Sequence, residues 1–199
     1  VSHVSLSDIE EALDIDDRYQ NWVYRHPVKG AALAGFIATQ VGTIWGYYAI
    51  GIGLPSLPFP LYNGQLFLGG PNPDFGSQEA FGSATNFFVG QSIHFINGIV
   101  FALLFALVAY KMLPTFSSKF KSVQKGLVFA VTQTIVSIGF LFPYVYAPKS
   151  GFGLFSFGAN AFGTNNEHWK LPFAVLLWHL IYGAILGLLY DPKKPENAK

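Results

Sequence analysis

Four segments of the chain contain no Asp, Glu, Lys or Arg and are long enough to cross a lipid bilayer. A transmembrane helix needs about 20 mostly apolar residues. Between these segments the sequence turns polar or becomes rich in Gly and Pro, which marks the ends of each segment. The predicted spans are residues 30–51, 87–110, 126–146 and 171–190.

The basic residues are distributed unevenly around these spans. Ten of the twelve Lys and Arg residues lie before the first span, between the second and third, or after the fourth. Cytoplasmic loops of membrane proteins carry an excess of Lys and Arg. We therefore expect both termini and the loop at 111–125 on the cytoplasmic side of a bacterial or archaeal cytoplasmic membrane, or on the equivalent side of an organelle inner membrane.

The two connections on the opposite side, residues 52–86 and 147–170, are rich in Gly, Pro and Phe. Gly and Pro at this density argue against long regular elements, so we expect irregular loops. The Phe residues have two interpretations. Either the loops fold over the outer end of the bundle at headgroup level, where aromatic residues are favoured, or they form an apolar surface that contacts a partner subunit.

This pattern predicts an all-α polytopic membrane protein of four transmembrane helices, arranged as two tandem hairpins with long Gly/Phe-rich outer loops. An acidic N-terminal segment at 1–29 precedes the transmembrane domain at 30–190, and a cytoplasmic tail follows at 191–199. The two hairpins share short motifs, Lys-Gly at the start of the first and third spans and His-x-x-x-Gly in the second and fourth. These motifs indicate an internal repeat.

Composition narrows the possible classes of function. Only 12% of the residues are charged and 51% are hydrophobic, whereas a soluble domain carries about 25% charged residues. A disordered chain, a nucleic-acid binder with a basic face and most soluble enzymes are therefore excluded. The absence of Cys excludes disulfides, thiolate metal sites and Cys nucleophiles.

Small residues recur at four-residue steps within the spans. Lipid offers no hydrophobic driving force between helices, so close packing of small side chains must hold a membrane bundle together. We expect the helix contacts at Ala34, Ala38, Gly42, Gly46, Gly98, Ala102, Ala106, Gly183 and Gly187.

His94 and His179 are the only ionisable residues in the spans apart from tyrosines. Each lies four residues before a Gly of a small-residue stripe, and so on the side that faces other helices. Their imidazoles either join helices by hydrogen bonds or bind a cofactor, for which haem b, a chlorophyll-type pigment and a quinone are the candidates. A metal pair fits poorly, because two histidines occur without a carboxylate.

Other polar residues in the first and third spans suggest a path for a small solute. Gln40 and Thr43 lie in the first span, and Gln133 and Ser137 lie in the third. Ordinary interhelical hydrogen bonding is the alternative interpretation. No pattern typical of a hydrolase or transferase is present, and no catalytic residue is predicted.

The N-terminal segment contains a short amphipathic helix that begins with a capping box from Ser7 to Glu10. Inner-leaflet lipids are anionic, so a helix that lies on the membrane surface would be basic. This helix is acidic, which favours docking on a protein over a solvated tail. The docking residues would be Leu6, Ile9, Glu10, Glu11, Leu13 and Asp14.

From about residue 86 onward the chain resembles the YagU-like small inner-membrane proteins. The resemblance rests on His94-Phe95, on Ile99-Val100-Phe101-Ala102, on Gln124-Lys125-Gly126-Leu127, on Pro143 and on His179. It implies a four-span bacterial inner-membrane protein, and it supplies no catalytic residue.

These observations predict a non-catalytic accessory or scaffold subunit of a larger membrane complex, in contact with lipids and other membrane subunits but not with nucleic acid. One alternative is a redox or antenna subunit that binds haem b, a pigment or a quinone through His94 and His179. The other alternative is a small transporter or channel.

Overall fold

The computed structural model describes residues 17–68, 84–115, 120–146 and 169–194, and all the regular structure in these ranges is helical. The predicted all-α class is therefore confirmed for this part of the chain. The helices are α1, Asp17–Arg25; α2, Pro27–Tyr48, followed by a 3₁₀ turn at Ala49–Ile52; α3, Phe59–Leu68; α4, Ala84–Met112; α5, Lys121–Val136, which continues as a π-helical segment, Ser137–Tyr146; and α6, Lys170–Leu189.

Three helices among the described residues are long and apolar enough to cross a membrane. They are α4, α5 together with the start of the π segment, and α6, with mean hydropathies of 2.2, 1.3 and 1.9. They correspond to the predicted spans 87–110, 126–146 and 171–190. Length and composition thus support three of the four predicted spans.

The fourth predicted span, at 30–51, corresponds to α2, which has 22 residues but is not in this apolar group. Its buried residues are all Gly, Ala or Thr, which add little hydropathy. The buried residues of α2 are small because this helix packs against α1, α4 and α6. Small side chains allow these close approaches.

The helices form two tightly packed pairs on either side of α2. In one pair α3 packs on α4, and in the other α5 packs on α6. Direct contact between α4 and α5 is slight and lies near one end of the bundle, where the Phe105 and Phe129 rings are 5.4 Å apart. We call the remaining space between these two helices the α4–α5 cleft.

Close backbone contacts occur at the glycines. Gly183 of α6 lies against Gly126 and Ala130 of α5, and Gly98 of α4 lies against Thr39 of α2. All nine residues expected to mediate helix packing are buried. They are Ala34, Ala38, Gly42, Gly46, Gly98, Ala102, Ala106, Gly183 and Gly187.

The two predicted hairpins pack in different registers. In the predicted repeat, Gly30 corresponds to Gly126 and Gly98 corresponds to Gly183. Gly126 packs against Gly183, whereas Gly98 packs against Thr39, nine residues along the chain from Gly30. The helix contacts therefore give no support to an internal repeat.

Helix α3 corrects the expectation of an irregular outer loop at 52–86, because ten of those residues form a regular helix. Pro58 and Pro60 lie at the start of α3, where a missing N–H costs no helical hydrogen bond. Gly64 and Gly90 then let α3 and α4 approach closely, since a Cβ on either would meet backbone of the other helix. Residues 69–83 and the outer loop at 147–168 lie outside the described residues.

A cluster of polar side chains joins three helices at one end of the bundle. The Tyr110 hydroxyl lies 2.7 Å from Ser122 Oγ, which donates a hydrogen bond to the Asp191 carboxylate. Lys125 is buried, donates to the Tyr110 carbonyl oxygen, and places its Nζ 4.4 Å from the centre of the Tyr110 ring. We call these four residues the Ser122 cluster; it links α4, α5 and the residues after α6.

We predict that Gly183→Ala lowers the free energy of unfolding by about 1–3 kcal/mol, the usual effect of overpacking a dense interface. The new Cβ would lie 2.7 Å from Ala130 Cβ and would also meet Gly126. Unfolding in mixed detergent micelles measures the change. The control is Gly139→Ala in the π segment, where a Cβ meets nothing within 4 Å; equal losses in the two variants would contradict the role of Gly183.

Candidate functional site

A cavity of about 70 Å³ lies where α3, α4, α6 and the π segment meet, beside the α4–α5 cleft. Four helices contribute to its lining, so its shape depends on the whole bundle. Five of the residues singled out from the sequence line this cavity. They are His94, Gly98, Gln133, Ser137 and His179.

His94 is buried in the cavity wall and bonds to Asn63, which in turn bonds to Asn97. Asn97 donates a hydrogen bond to Asn63 Oδ1 at 3.5 Å, and Asn63 Nδ2 lies 3.3 Å from His94 Nδ1. An amide nitrogen can only donate, so His94 Nδ1 accepts. In the neutral imidazole the proton is therefore on Nε2.

His179 has the opposite tautomer. Its Nδ1 lies 2.9 Å from the Val175 carbonyl oxygen, which can only accept, so Nδ1 carries the proton. Its Nε2 lies 3.3 Å from Ser137 Oγ and accepts a hydrogen bond from that hydroxyl. These bonds satisfy both ring nitrogens and join α6 to the π segment.

Trp178 contacts both imidazoles. Its ring centre lies 5.5 Å from that of His94 and 5.2 Å from that of His179. Phe59 of α3 packs edge-on against the same indole at 5.2 Å, and the Tyr182 ring stacks on it at 5.8 Å. The aromatic rings therefore fix the positions of the two histidines.

Three side chains that line the cavity each keep one buried polar atom without a hydrogen-bond partner. These atoms are His94 Nε2, Gln133 Oε1 and Trp178 Nε1. A buried donor or acceptor left without a partner costs about 1–3 kcal/mol. A Cβ on Gly42 of α2 would lie 3.2 Å from Trp178 Nε1, so that atom lies against α2, and the other two atoms favour a polar occupant of the cavity.

The geometry does not fit the haem or pigment that the two histidines suggested. Sites for small molecules and cofactors have volumes of roughly 300–1,000 Å³, whereas this cavity measures about 70 Å³. Both imidazoles also contact the Trp178 indole, which occupies space that a macrocycle between them would need. Among the described residues, no group of three or more His, Cys, Asp and Glu could hold a metal ion.

The residues of the predicted solute path are divided between separate places. Gln133 and Ser137 line the cavity. Thr43 is buried in α2, where its hydroxyl donates to the Thr39 carbonyl oxygen at 2.7 Å. Gln40 is exposed on α2. The structure therefore does not bring the four residues together in one continuous path.

Gln40 lies in the middle of an apolar face. Phe36 and Ile44, one helical turn before and after it, are 44% and 49% exposed. Two other exposed polar residues form hydrogen bonds within their own helices. Ser92 donates to the Phe88 carbonyl oxygen at 3.0 Å, and Thr132 donates to a carbonyl oxygen of its helix at 3.3 Å. We call the exposed row of Phe36, Gln40 and Ile44 the Gln40 face.

The site residues predicted from the sequence leave out seven residues that line the cavity: Phe59, Asn63, Asn97, Phe101, Leu141, Trp178 and Tyr182. The first two lie in α3, within a segment that was expected to be irregular. Trp178 directly precedes His179 and lies beside a small-residue stripe, and this position could have predicted that it belongs to the site. The docking residues proposed for the N-terminal helix, at 6–14, lie outside the described residues.

We predict that Tyr182→Phe lowers the free energy of unfolding by about 0.5–1.5 kcal/mol, because it removes a buried hydrogen bond between two helices. The buried Tyr182 hydroxyl donates to the Gly98 carbonyl oxygen at 2.7 Å and so joins α6 to α4. Unfolding in detergent micelles measures the loss. Tyr48→Phe is the matched control, since Tyr48 is 75% exposed; an equal loss there would contradict the assignment.

Similarity to other proteins does not identify this site. Comparison of the chain with protein-family models, with curated proteins and with solved structures found no match. The chemistry of the site therefore has to be inferred from its own side chains and their contacts.

Proposed function

We propose that the protein is a four-span integral membrane protein with both termini on the cytoplasmic side of a bacterial or archaeal membrane. The support for a span at α2 is its length: 22 residues extend about 33 Å at about 1.5 Å per residue, against a hydrocarbon core of about 30 Å. After Lys29 no residue of α2 is charged. With four spans, ten of the twelve basic residues lie on one side.

We further propose that it is a non-catalytic accessory or scaffold subunit of a larger membrane complex. The observation that carries this proposal is the Gln40 face. A carboxamide exposed to lipid in mid-span has neither water nor protein to bond, which is unfavourable. Gln side chains in membrane helices form hydrogen bonds with neighbouring helices, and such bonds stabilise helix association.

The neighbouring residues support the same function. Phe36 and Ile44 provide apolar contact on either side of the carboxamide, so a helix packed there would bury both and pair with Gln40 between them. Ser92 and Thr132 already bond within their own helices and therefore need no partner. The acidic N-terminal helix would be a second contact with the complex, on the cytoplasmic side.

We predict that Gln40→Leu releases the partner subunit. One interhelical hydrogen bond in a membrane is worth about 1–2 kcal/mol in model helices, which corresponds to a roughly tenfold loss of co-purified partner. The measurement is quantitative mass spectrometry of the tagged full-length protein, extracted from its own host in mild detergent.

Thr132→Val is the control for this experiment, because it also removes an exposed polar group from a span but one that bonds to its own helix. It should leave the amount of partner unchanged. Equal recovery of every membrane partner with Gln40→Leu and the unaltered protein would contradict the proposal, and so would purification of the unaltered protein as a lone chain.

A further inference from the structure

The cavity opens sideways between α4 and the π segment. Its lining residues from α3 and α6 are buried. The half-buried lining residues are Asn97 and Phe101 on α4 and Ser137 and Leu141 on the π segment. Because α4 and α5 contact each other mainly near the Ser122 cluster, the α4–α5 cleft leads from the cavity to the side of the bundle. In a membrane, that side faces lipid.

Two unpartnered atoms, His94 Nε2 and Gln133 Oε1, define the hydrogen bonds that an occupant would make. His94 Nε2 donates, because His94 Nδ1 accepts from Asn63. Gln133 Oε1 is an acceptor only. One oxygen atom that accepts one hydrogen bond and donates one satisfies both groups. A hydroxyl group has this capacity.

The size and lining of the cavity set the shape of the occupant. About 70 Å³ has room for a head group of roughly two water volumes, since each water in the liquid takes about 30 Å³. Phe101 and Leu141 are apolar and lie on opposite sides of the opening. A molecule with a hydroxyl head and a hydrocarbon body would therefore match both the cavity and its exit.

We propose that the α4–α5 cleft is a binding site for a membrane-dissolved molecule with a hydroxyl head group. The hydroxyl bonds to His94 and Gln133, and the apolar body passes between Phe101 and Leu141 into the lipid. Long-chain alcohols have this chemistry and a head group of this size. The site rests on the proposed insertion of the chain in a bilayer, but it does not depend on a partner subunit.

Photolabelling of the full-length protein in lipid nanodiscs tests the site. The probe is dodecanol that carries a diazirine near its hydroxyl, and the control probe is the same diazirine-bearing chain without the hydroxyl. Loss of hydrogen bonds to buried partners weakens binding, so we expect roughly tenfold more labelling of the Phe101 and Leu141 peptides by the alkanol. Unlabelled dodecanol should suppress this labelling, and dodecane should not.

Two variants test the residues in the same nanodiscs. Gln133→Leu should reduce alkanol labelling by roughly tenfold, whereas Ser92→Ala, on the exposed side of α4, should not. The competition between dodecanol and dodecane needs no variant, so it decides the proposal even where Gln133→Leu does not fold.

Three results would overturn the proposal. They are equal labelling by both probes, alkanol labelling that persists in a folded Gln133→Leu protein, and an absence of adducts on both peptides. The last result would assign the cavity to water instead. None of these results tests the proposed partner contact at the Gln40 face, because the nanodiscs contain the single chain.

Discussion

The close approach of helix backbones at small residues is the constraint on which the rest of the structure depends. It matters most at Gly42 and Gly46 of α2, because Trp178 of α6 packs over both; a Cβ on Gly42 would lie 2.9 Å from Trp178 Cε2. Both imidazoles and Phe59 contact the same indole. Two glycines that do not line the cavity therefore determine its shape, through the tryptophan that they accommodate.

The two histidines have similar positions in their helices but different chemical surroundings. The bonds of His179 to the Val175 carbonyl and to Ser137 satisfy both of its nitrogens. His94 is satisfied only at Nδ1, by Asn63. The difference arises because His179 reaches a carbonyl of its own helix, whereas His94 depends on α3. Both imidazoles thus join helices, but His94 also keeps an N–H without a partner beside the cavity.

Local periodicity explains which parts of the structure the sequence could predict. The burial of His94 and His179 follows from their spacing to Gly98 and Gly183. Gln40 could have been placed as well: it lies two residues from both Ala38 and Gly42, about 200° around the helix, and so opposite the packed side. The pairing of Asn63 with His94 could not be predicted, because it joins residues 31 apart through a Gly/Pro-rich segment that is typical of a loop.

The position of the Ser122 cluster has a mechanical consequence. It joins α4, α5 and the residues after α6 at one end, while Ser137, at the cavity, is 15 residues from Ser122, or about 22 Å along the helix at about 1.5 Å per residue. Beside the α4–α5 cleft, the two packed pairs, α3 with α4 and α5 with α6, are thus joined at that end, whereas α2 and Trp178 hold them together on the other side of the cavity. Widening of the cleft is then a rotation about the Ser122 cluster, and a small angle there gives its largest displacement at the far end of the cleft.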